Sequence, residues 1–463
     1  MTATDQTTDH ATGERKPWHL RDNRAPVFDE LTVTDLEVRG AIPPELDGRY
    51  VRNGANPQTG ESAHWFLGDG MVHGVELSSG TATWYRNRYV RTPCFANPGK
   101  ERMEMYLDPE TLQFDYRVST ANTHVIGHAG KIMALEEGSF PYVLTNELDT
   151  VGPHDFGGAL TTAMTAHPKI CPETGELLFF GYSSMPPYLV YHRANAAGEL
   201  VQSSEITVTG PTMMHDFVVS RGHTIFMDLP AIFDMELAMS GGMPIRWSDD
   251  YPARFGVLPR EGTDEDVQWF DVDPCYVFHT LNAYDDGDEV VVHGCRLNEI
   301  WRNSADIGDP DSTSADDSPK MWEWRLDRST GKVSERQIDD RASDFPRVPD
   351  ATVGLRGRYG YSMSLSFDDG ATGEIFKYDF ADGGSRTSHV LPKGQVAGEP
   401  VFVPAAGATS EDDGYLMTFV HDEATDRSHL TILDASDMAA DPIAEVQLPR
   451  RVPAGFHGSW VAD

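Results

Sequence analysis

Short β-type runs recur along almost the whole chain, and few stretches could form a long helix. The runs TATWYRNRYV at 81–90 and EVVVHGCRL at 289–297 are typical, being rich in Val, Tyr and Trp. Turn dipeptides such as Asp286-Gly287 separate the runs, as β-hairpins require. Many short strands without alternating helices predict an all-β protein, and over this length they favour a β-propeller over a sandwich.

Four stretches depart from this rhythm. Residues 1–25 are polar and predict a disordered tail, which leaves 26–463 as a single propeller domain. The region 232–260 lacks a clear strand pattern and contains a possible helical turn at 235–239. The run 306–317 is rich in Ser and Asp and predicts an exposed loop.

Charge and cysteine content exclude several classes of protein. Lys and Arg number 37 against 73 Asp and Glu, which gives a formal net charge of −36 and argues against a nucleic-acid partner. The sequence has no apolar segment typical of a signal peptide or of a membrane-spanning helix. We therefore expect a cytoplasmic protein with reduced cysteines. The four cysteines are far apart and form no CxxC pair: Cys94, Cys171, Cys275 and Cys295.

Four of the histidines have a context that sets them apart. Each is flanked by apolar or small residues at the start of, or inside, a predicted strand, and they are too far apart for one local metal loop. Different blades could deliver them to a common axis. Four neutral imidazoles favour a first-row transition metal and would leave two positions open in octahedral geometry. These histidines are His167, His215, His279 and His457.

Buried carboxylates are expected beside such a site, because a metal-bound histidine usually donates its second ring N–H to an acceptor. Glu137 and Glu399 fit, since apolar or small residues enclose each of them and an unpaired buried charge is costly. The alternative is that both are surface carboxylates at turns.

A series of motifs extends in order from about residue 41 to residue 460. Together they resemble the carotenoid cleavage oxygenase family, which includes the retinoid isomerase of the visual cycle and the lignostilbene dioxygenases. The motifs are NGANP from residue 53, HWFLGDGMVHGVEL from 64, YRNRYVRT from 85, ANTHV from 121, HPK from 167, MHDF from 214, FHTLNAY from 278, GEPVFVP from 398 and GFHGSW from 455.

The resemblance implies a seven-bladed propeller with a dome of loops and helices over the metal-bearing face. It implies that the four histidines bind one Fe(II) per chain, with dioxygen as co-substrate. It also implies that carboxylates at Glu137, Glu399 and a third position orient the ligands. That third position is Asp344, where the family usually has Glu. Because Asp is shorter, we expect a water-bridged hydrogen bond or a small backbone shift there.

Two further positions concern oxygen and substrate. Thr123 matches a family position near the open metal site, where its side chain could steer dioxygen; the alternative is an ordinary strand residue. The residue before Glu137 is commonly Trp in carotenoid-cleaving members, and Lys in stilbene-cleaving members, where it contacts the phenolic oxygen. Here it is Glu136, which cannot donate like an ammonium group but could accept a phenol O–H bond. His64 and His73 are interpreted as structural.

The implied reaction is oxidative cleavage of a C=C bond in a small apolar conjugated substrate, giving two carbonyl products. Carotenoids or apocarotenoids come first, and phenylpropenoids or stilbenes second. Aromatic residues in 179–188 and 225–233 could line the tunnel, although most of them are expected to be core. An apolar patch at 232–243 could make peripheral membrane contact. Other readings are an isomerase-like member, which uses the metal without consuming oxygen, and a metal-free propeller that binds proteins.

Overall fold

The structure is a computed structural model that describes residues 16–239, 244–302, 318–365 and 373–463. In these ranges the strands form seven antiparallel sheets of four to six strands, with one additional two-stranded hairpin. The seven sheets follow one another along the chain and are the blades of a propeller. The predicted all-β propeller is therefore confirmed.

Blade 1 joins the two ends of the chain. Its sheet order is β1-β5-β4-β3-β33, and Tyr50 lies opposite Trp460 where the last strand pairs with the third. This pairing closes the ring and leaves no open edge between the first and last blades. The strands are β1 Thr32–Val33, β3 Gly48–Ala55, β4 Gly70–Ser78, β5 Thr81–Tyr89 and β33 Gly458–Ala462.

Blades 2 to 6 each have four strands that run from the axis outward. Blade 2 is β6 His124–His128, β7 Lys131–Leu135, β8 Tyr142–Leu144 and β9 Thr150–Pro153. Blade 3 is β10 Lys169–Ile170, β11 Leu177–Tyr182, β12 Leu189–Ala194 and β13 Leu200–Glu205. Blade 4 is β14 Val218–Val219, β15 His223–Asp228, β18 Arg254–Pro259 and β19 Gln268–Asp271. Blade 5 is β20 Tyr276–Asp286, β21 Glu289–Leu297, β22 Lys320–Asp327 and β23 Lys332–Gln337. Blade 6 is β24 Ser343–Arg347, β25 Tyr359–Ser364, β26 Glu374–Asp379 and β27 Ser385–Val390.

Blade 7 has six strands and also uses both ends of the chain, because a strand near the N-terminus pairs with its outermost strand. Its strands are β2 Val38–Gly40, β28 Gln395–Ala397, β29 Val401–Pro404, β30 Gly414–Asp422, β31 Arg427–Asp434 and β32 Ala444–Gln447.

Burial changes from the axis to the rim of the propeller. Every residue of β3 is buried, as are the first nine residues of β20. The outer strands β13 and β23 alternate between more and less exposed residues instead. Inner strands are covered on both faces, whereas outer strands face solvent on one side. This explains why the inner runs lack the polar alternation of a surface strand.

Two insertions carry the helices. The first connects β5 to β6 and contains α1, Pro93–Ala96, and α2, Arg102–Tyr106. The second connects β15 to β18 and contains the hairpin of β16, Ala231–Phe233, and β17, Ile245–Trp247, with α3, Met235–Met239, between them. The helical turn expected at 235–239 is confirmed. The expectation that 232–260 lacks strands is wrong, because β17 and β18 lie within it; β18 pairs along the whole of β15.

Short 3-10 helices complete the described part of the chain. They are Trp18–Leu20, Asp22–Arg24, Asp264–Asp266, Asp350–Thr352 and Phe380–Asp382.

The N-terminal boundary differs from the predicted tail. Trp18 is only 6% exposed, and its ring meets that of Trp65 at 5.7 Å. The Arg24 guanidinium lies over both rings, and the Asn23 carbonyl accepts a hydrogen bond from Ala454 N at 2.7 Å. Aromatic packing and cation–π contact therefore hold residues 16–25 against the propeller.

Two other expectations fall partly or wholly outside the described residues. Residues 1–15 of the predicted tail and the acidic loop at 306–317 belong to parts of the chain that the structure leaves undescribed. In the ranges it does describe, no helix has both the length and the apolar character needed to cross a bilayer.

Candidate metal centre

Four inner-strand positions bring the predicted histidines together. His279 lies within β20, His457 directly precedes β33, and the other two precede β10 and β14, so blades 1, 3, 4 and 5 each contribute one. All four are buried, and their nearest ring nitrogens lie within 4.8 Å of one another. The Nε2 atom of His215 is 3.0 Å from that of His167 and 3.3 Å from that of His279. The imidazole lone pairs thus converge on one point, a geometry suited to a metal ion.

Three of the four rings are oriented by carboxylates. In each case Nδ1 lies within hydrogen-bonding distance of a carboxylate oxygen, so that Nδ1 carries the proton and donates it, and Nε2 keeps its lone pair for the centre. The pairs are His215 with Glu137 Oε2 at 2.9 Å, His279 with Asp344 Oδ1 at 2.8 Å, and His457 with Glu399 Oε1 at 2.9 Å.

Asp344 reaches His279 directly, without a bridging water. The backbone beside it is displaced instead: the β24–β25 register shifts between Asp344 and Arg347, and Phe345 has a φ of 55°, which is unusual for a bulky residue. The Phe345 N–H also donates to Asp344 Oδ1 at 2.9 Å. Of the two arrangements expected for the shorter side chain, the structure has the backbone shift.

Glu399 is the most deeply buried of the three carboxylates, at 2% exposure. Its second oxygen accepts from Gly458 N at 2.9 Å and lies 3.5 Å from Arg347 Nη1. Burial disfavours the charge on Arg347, but Glu399 outweighs burial and raises the pKa of the guanidinium. This opposite charge and the hydrogen bonds compensate for placing a carboxylate in the interior.

The imidazoles differ in their electrostatic setting. Burial, followed by the neighbouring imidazoles, holds the pKa of His167 and of His457 well below the usual range. Burial also disfavours a charge on His279, yet Asp344 outweighs it and raises the pKa of that ring. Neutral imidazole is the form that binds transition metals. The donor set, four imidazole nitrogens with buried carboxylates behind three of them, fits a first-row transition metal.

One side of the cluster is lined by aromatic rings. Phe278 meets His215 edge-on, with ring centroids 5.4 Å apart, and Tyr276 and Trp301 pack against Phe278 at 4.8 Å and 5.9 Å. Phe66 adds a fourth ring to this group at 6.4 Å from Phe278. These rings are called the aromatic wall below. They give the centre an apolar approach.

The segments expected to line a tunnel lie mostly in the core. Phe179, Phe180 and Phe226 are 0% exposed and pack between blades. Tyr182 and Phe233 are partly exposed, and their rings lie 5.8 Å apart. Only a minority of the residues in 179–188 and 225–233 can therefore face a ligand, as the sequence suggested.

Thr123 touches the centre through its backbone. Its carbonyl accepts a hydrogen bond from His457 N at 3.1 Å, and its hydroxyl donates to Asn122 Oδ1 at 2.9 Å. His64 and His73 lie outside the four-histidine cluster found among the described residues. His64 Nδ1 accepts from Phe66 N at 3.1 Å, and His73 Nδ1 lies 2.9 Å from the Tyr85 hydroxyl.

Glu136 forms a buried ion pair. Both of its oxygens receive the guanidinium of Arg102, at 3.1 Å and 2.9 Å. Gly138 N donates to Oε1 at 2.9 Å, and the Ser139 hydroxyl donates to Oε2 at 2.7 Å. Because Arg102 belongs to α2 and Glu137 follows Glu136, this pair fixes the first insertion over the face that carries the histidines.

His124 is a residue that the sequence reasoning missed. It is buried in β6, and its ring lies 5.3 Å from that of His457 and 6.1 Å from that of His167. Burial, with His457 as the next cause, lowers the pKa of His124 to about 3. It also lines an axial cavity of about 730 Å³. The only signal in the sequence was its place in the ANTHV motif.

A seven-bladed propeller with four converging histidines at its axis defines a metal-binding propeller. Residues 24–462 match the family model described as retinal pigment epithelial membrane protein, RPE65. The carotenoid cleavage oxygenase of Mycobacterium tuberculosis is 38% identical over 98% of this chain and 99% of its own length. The carotenoid 9,10(9',10')-cleavage dioxygenase 1 of Arabidopsis thaliana is 37% identical over 96% of this chain and 90% of its own length.

Solved structures agree with these matches. The Pseudomonas brassicacearum lignostilbene dioxygenase superposes with a TM-score of 0.85 at 27% identity, covering 96% of this chain and 99% of that one. Cobalt-substituted Synechocystis ACO gives 0.83 at 26% identity, covering 95% and 97%. The chain belongs to the carotenoid cleavage oxygenase family of alkene-cleaving dioxygenases.

Proposed function

We propose that this protein is a non-haem Fe(II)-dependent dioxygenase that cleaves a C=C double bond of a carotenoid or apocarotenoid to two carbonyl products. The observation that carries the proposal is the convergence of His167, His215, His279 and His457 within 4.8 Å. Four neutral nitrogen donors leave positions open on a six-coordinate ion. The names of the most similar relatives support the reaction class.

Each group of residues has a distinct task in this proposal. The four histidines hold the iron, and three carboxylates hold three of the rings in the correct tautomer. Bound there, Fe(II) supplies the activation of dioxygen. The aromatic wall excludes water and orients an apolar conjugated chain beside the centre. Thr123, whose backbone contacts His457, shapes the space that dioxygen occupies.

The Glu136–Arg102 pair favours carotenoid-type over phenolic substrates. A carboxylate offers about four acceptor positions, and the four bonds from Arg102, Gly138 and Ser139 occupy them. Glu136 therefore has no position left to accept a phenol O–H, although the sequence alone allowed one. A phenolic end group would have to displace the guanidinium, which costs a buried ion pair.

Stilbene or phenylpropenoid cleavage is the second candidate, because a lignostilbene dioxygenase is among the structural neighbours. The two candidates share the metal and differ in the substrate. An isomerase-like reaction would use the metal without consuming oxygen, and a metal-free binding propeller would bind no metal at the histidines. One assay with two substrates separates these possibilities.

The experiment measures oxygen uptake by iron-loaded protein with an apocarotenal and, in parallel, with isoeugenol. We expect uptake with the apocarotenal, little with isoeugenol, and none in His279→Ala. Uptake with isoeugenol alone would replace the carotenoid proposal with the phenylpropenoid one. Absence of uptake with both substrates, although iron is bound, would contradict both proposed reactions.

Arg102 provides a sharper test of the substrate argument. Arg102→Met frees the acceptors of Glu136, so the ratio of isoeugenol to apocarotenal activity should rise, whereas Arg102→Lys, which keeps the charge, should change it less. Arg117→Met is the matched control, because Arg117 is exposed and pairs only with the nearby Asp115. An unchanged ratio in folded Arg102→Met would contradict the role assigned to the pair.

A further inference from the structure

The cavity that reaches the histidines is separate from the aromatic wall. It follows the propeller axis along the inner strands β6, β10, β14, β20, β24 and β33, and its lining includes His167, His279 and His457. No residue of the aromatic wall belongs to this lining. The cavity therefore approaches the centre from its own side, and its volume of about 730 Å³ holds on the order of twenty water molecules at about 30 Å³ each.

The wall of this cavity is polar, and its cationic side chains are paired. Lys169 lies 2.8 Å from Asp216. Arg347 lies 3.7 Å from Asp350 and 3.5 Å from Glu399. The Asp350 side chain is 78% exposed and that of Glu399 only 2% exposed. Carboxylates therefore occur both at the surface and deep beside the centre, and their charges offset those of the lysine and arginine side chains.

His124 occupies the inner end of the cavity, beside His457 and His167. Its Nδ1 faces the Ala166 carbonyl at 2.8 Å, so Nδ1 carries the hydrogen and Nε2 keeps the lone pair. That Nε2 lies 3.5 Å from the Ser459 hydroxyl, another residue of the cavity lining. A neutral imidazole nitrogen therefore lies near two residues of the cluster without being a member of it.

We propose that this axial cavity is the route by which the metal ion reaches the four histidines, with His124 as a transient ligand on the way. The inference rests on the proposed metal site. A divalent cation keeps its hydration along a polar path, whereas the aromatic wall offers no groups to replace its water. Carboxylate, neutral imidazole and then four imidazoles form a sequence of ligands of increasing number, which lets the ion shed water in steps.

The test follows Co²⁺ entering the metal-free protein, using the visible absorption of bound Co²⁺ in a stopped-flow instrument, and its release to excess EDTA. Val461→Trp places a large ring in the cavity lining. Val201→Trp is the matched control, because Val201 is 54% exposed on an outer strand and outside that lining. Gly127→Leu is a second blocking variant, since a Cβ there meets only Val461 methyls, at 3.4 and 3.6 Å.

Both blocking variants should still bind one Co²⁺ per chain with the wild-type affinity. A blocked route raises the barrier in both directions, so uptake and release should slow by the same factor, about tenfold or more, which corresponds to about 1.4 kcal/mol of added barrier. His124→Ala should slow both rates as well, with His154→Ala as its control. The controls should keep the wild-type rates.

Wild-type rates in both blocked variants would overturn the route. Faster release with weaker binding in both would place their effect on the site itself and would also overturn it. Slowing in the blocked variants but not in His124→Ala would keep the route and remove the transient ligand. If the wild-type protein took up no Co²⁺, or if His279→Ala bound it with an unchanged spectrum, the proposed metal site itself would fail.

Discussion

Removal of the Asp344 carboxylate is the most informative perturbation of the metal centre. In Asp344→Ala the Nδ1–H of His279 loses an acceptor at 2.8 Å, and Phe345 N loses one at 2.9 Å. A hydrogen bond to a charged group contributes about 1.5–3 kcal/mol. Because the bond orients a proposed ligand, we expect metal affinity to fall by about 10- to 100-fold, the usual effect of losing such a partner.

The assay is a competition titration of Co²⁺ between the protein and a chelator of known affinity. Asp344→Asn keeps an oxygen acceptor without the charge and should lose less affinity than Asp344→Ala. Asp288→Asn is the control, since Asp288 is exposed in the β20–β21 turn of the same blade. If Asp344→Ala bound Co²⁺ as tightly as the wild type while remaining folded, the orienting role of this carboxylate would be refuted.

Three further predictions concern stability and the site. The hydrogen bond from His293, followed by the Arg336 charge, lowers the pKa of Glu323 from 4.5 to about 2 against the opposing effect of burial. That carboxylate therefore stabilises the fold above about pH 4.5 and loses this effect as the pH falls towards 2. Glu323→Gln should lower the unfolding free energy by at most about 3 kcal/mol at pH 7; urea titrations should show the difference from wild type vanishing near pH 2, and a constant difference would refute the linkage. Gly256→Ala places a Cβ 2.7 Å from the Trp269 ring, so urea unfolding should show a loss of about 1–3 kcal/mol, and a neutral effect would mean that the ring moves freely. Phe278→Leu removes the edge-on contact with His215 and should raise KM for the apocarotenal while the metal content stays unchanged; an unchanged KM would remove Phe278 from the substrate wall.

The blade architecture was predictable because its causes are local. Short β-rich runs closed by turn dipeptides need only sequence neighbours, and they gave the correct fold class. The resemblance then supplied the number of blades and a set of four histidines, which the structure brings within 4.8 Å. Glu137 and Glu399 could be selected in advance because an acidic residue among apolar neighbours must find a partner.

Other features depend on contacts that no local pattern shows. Arg102 pairs with Glu136 across 34 positions of sequence, so the saturation of that carboxylate was invisible. The packing of Trp18 on Trp65 extends the ordered chain into a segment with the composition of a tail. His124 looked like any strand histidine until the axial cavity and the nearby rings of His167 and His457 were known.

The most direct test of the central claim is the oxygen consumed per molecule of apocarotenal by the iron-loaded protein, with mass spectrometry of the products. The account predicts one dioxygen per substrate cleaved, two carbonyl products, and loss of both signals in His279→Ala. Substrate turnover without oxygen consumption, or oxygen consumption that survives in His279→Ala, would contradict a dioxygenase built on these four histidines.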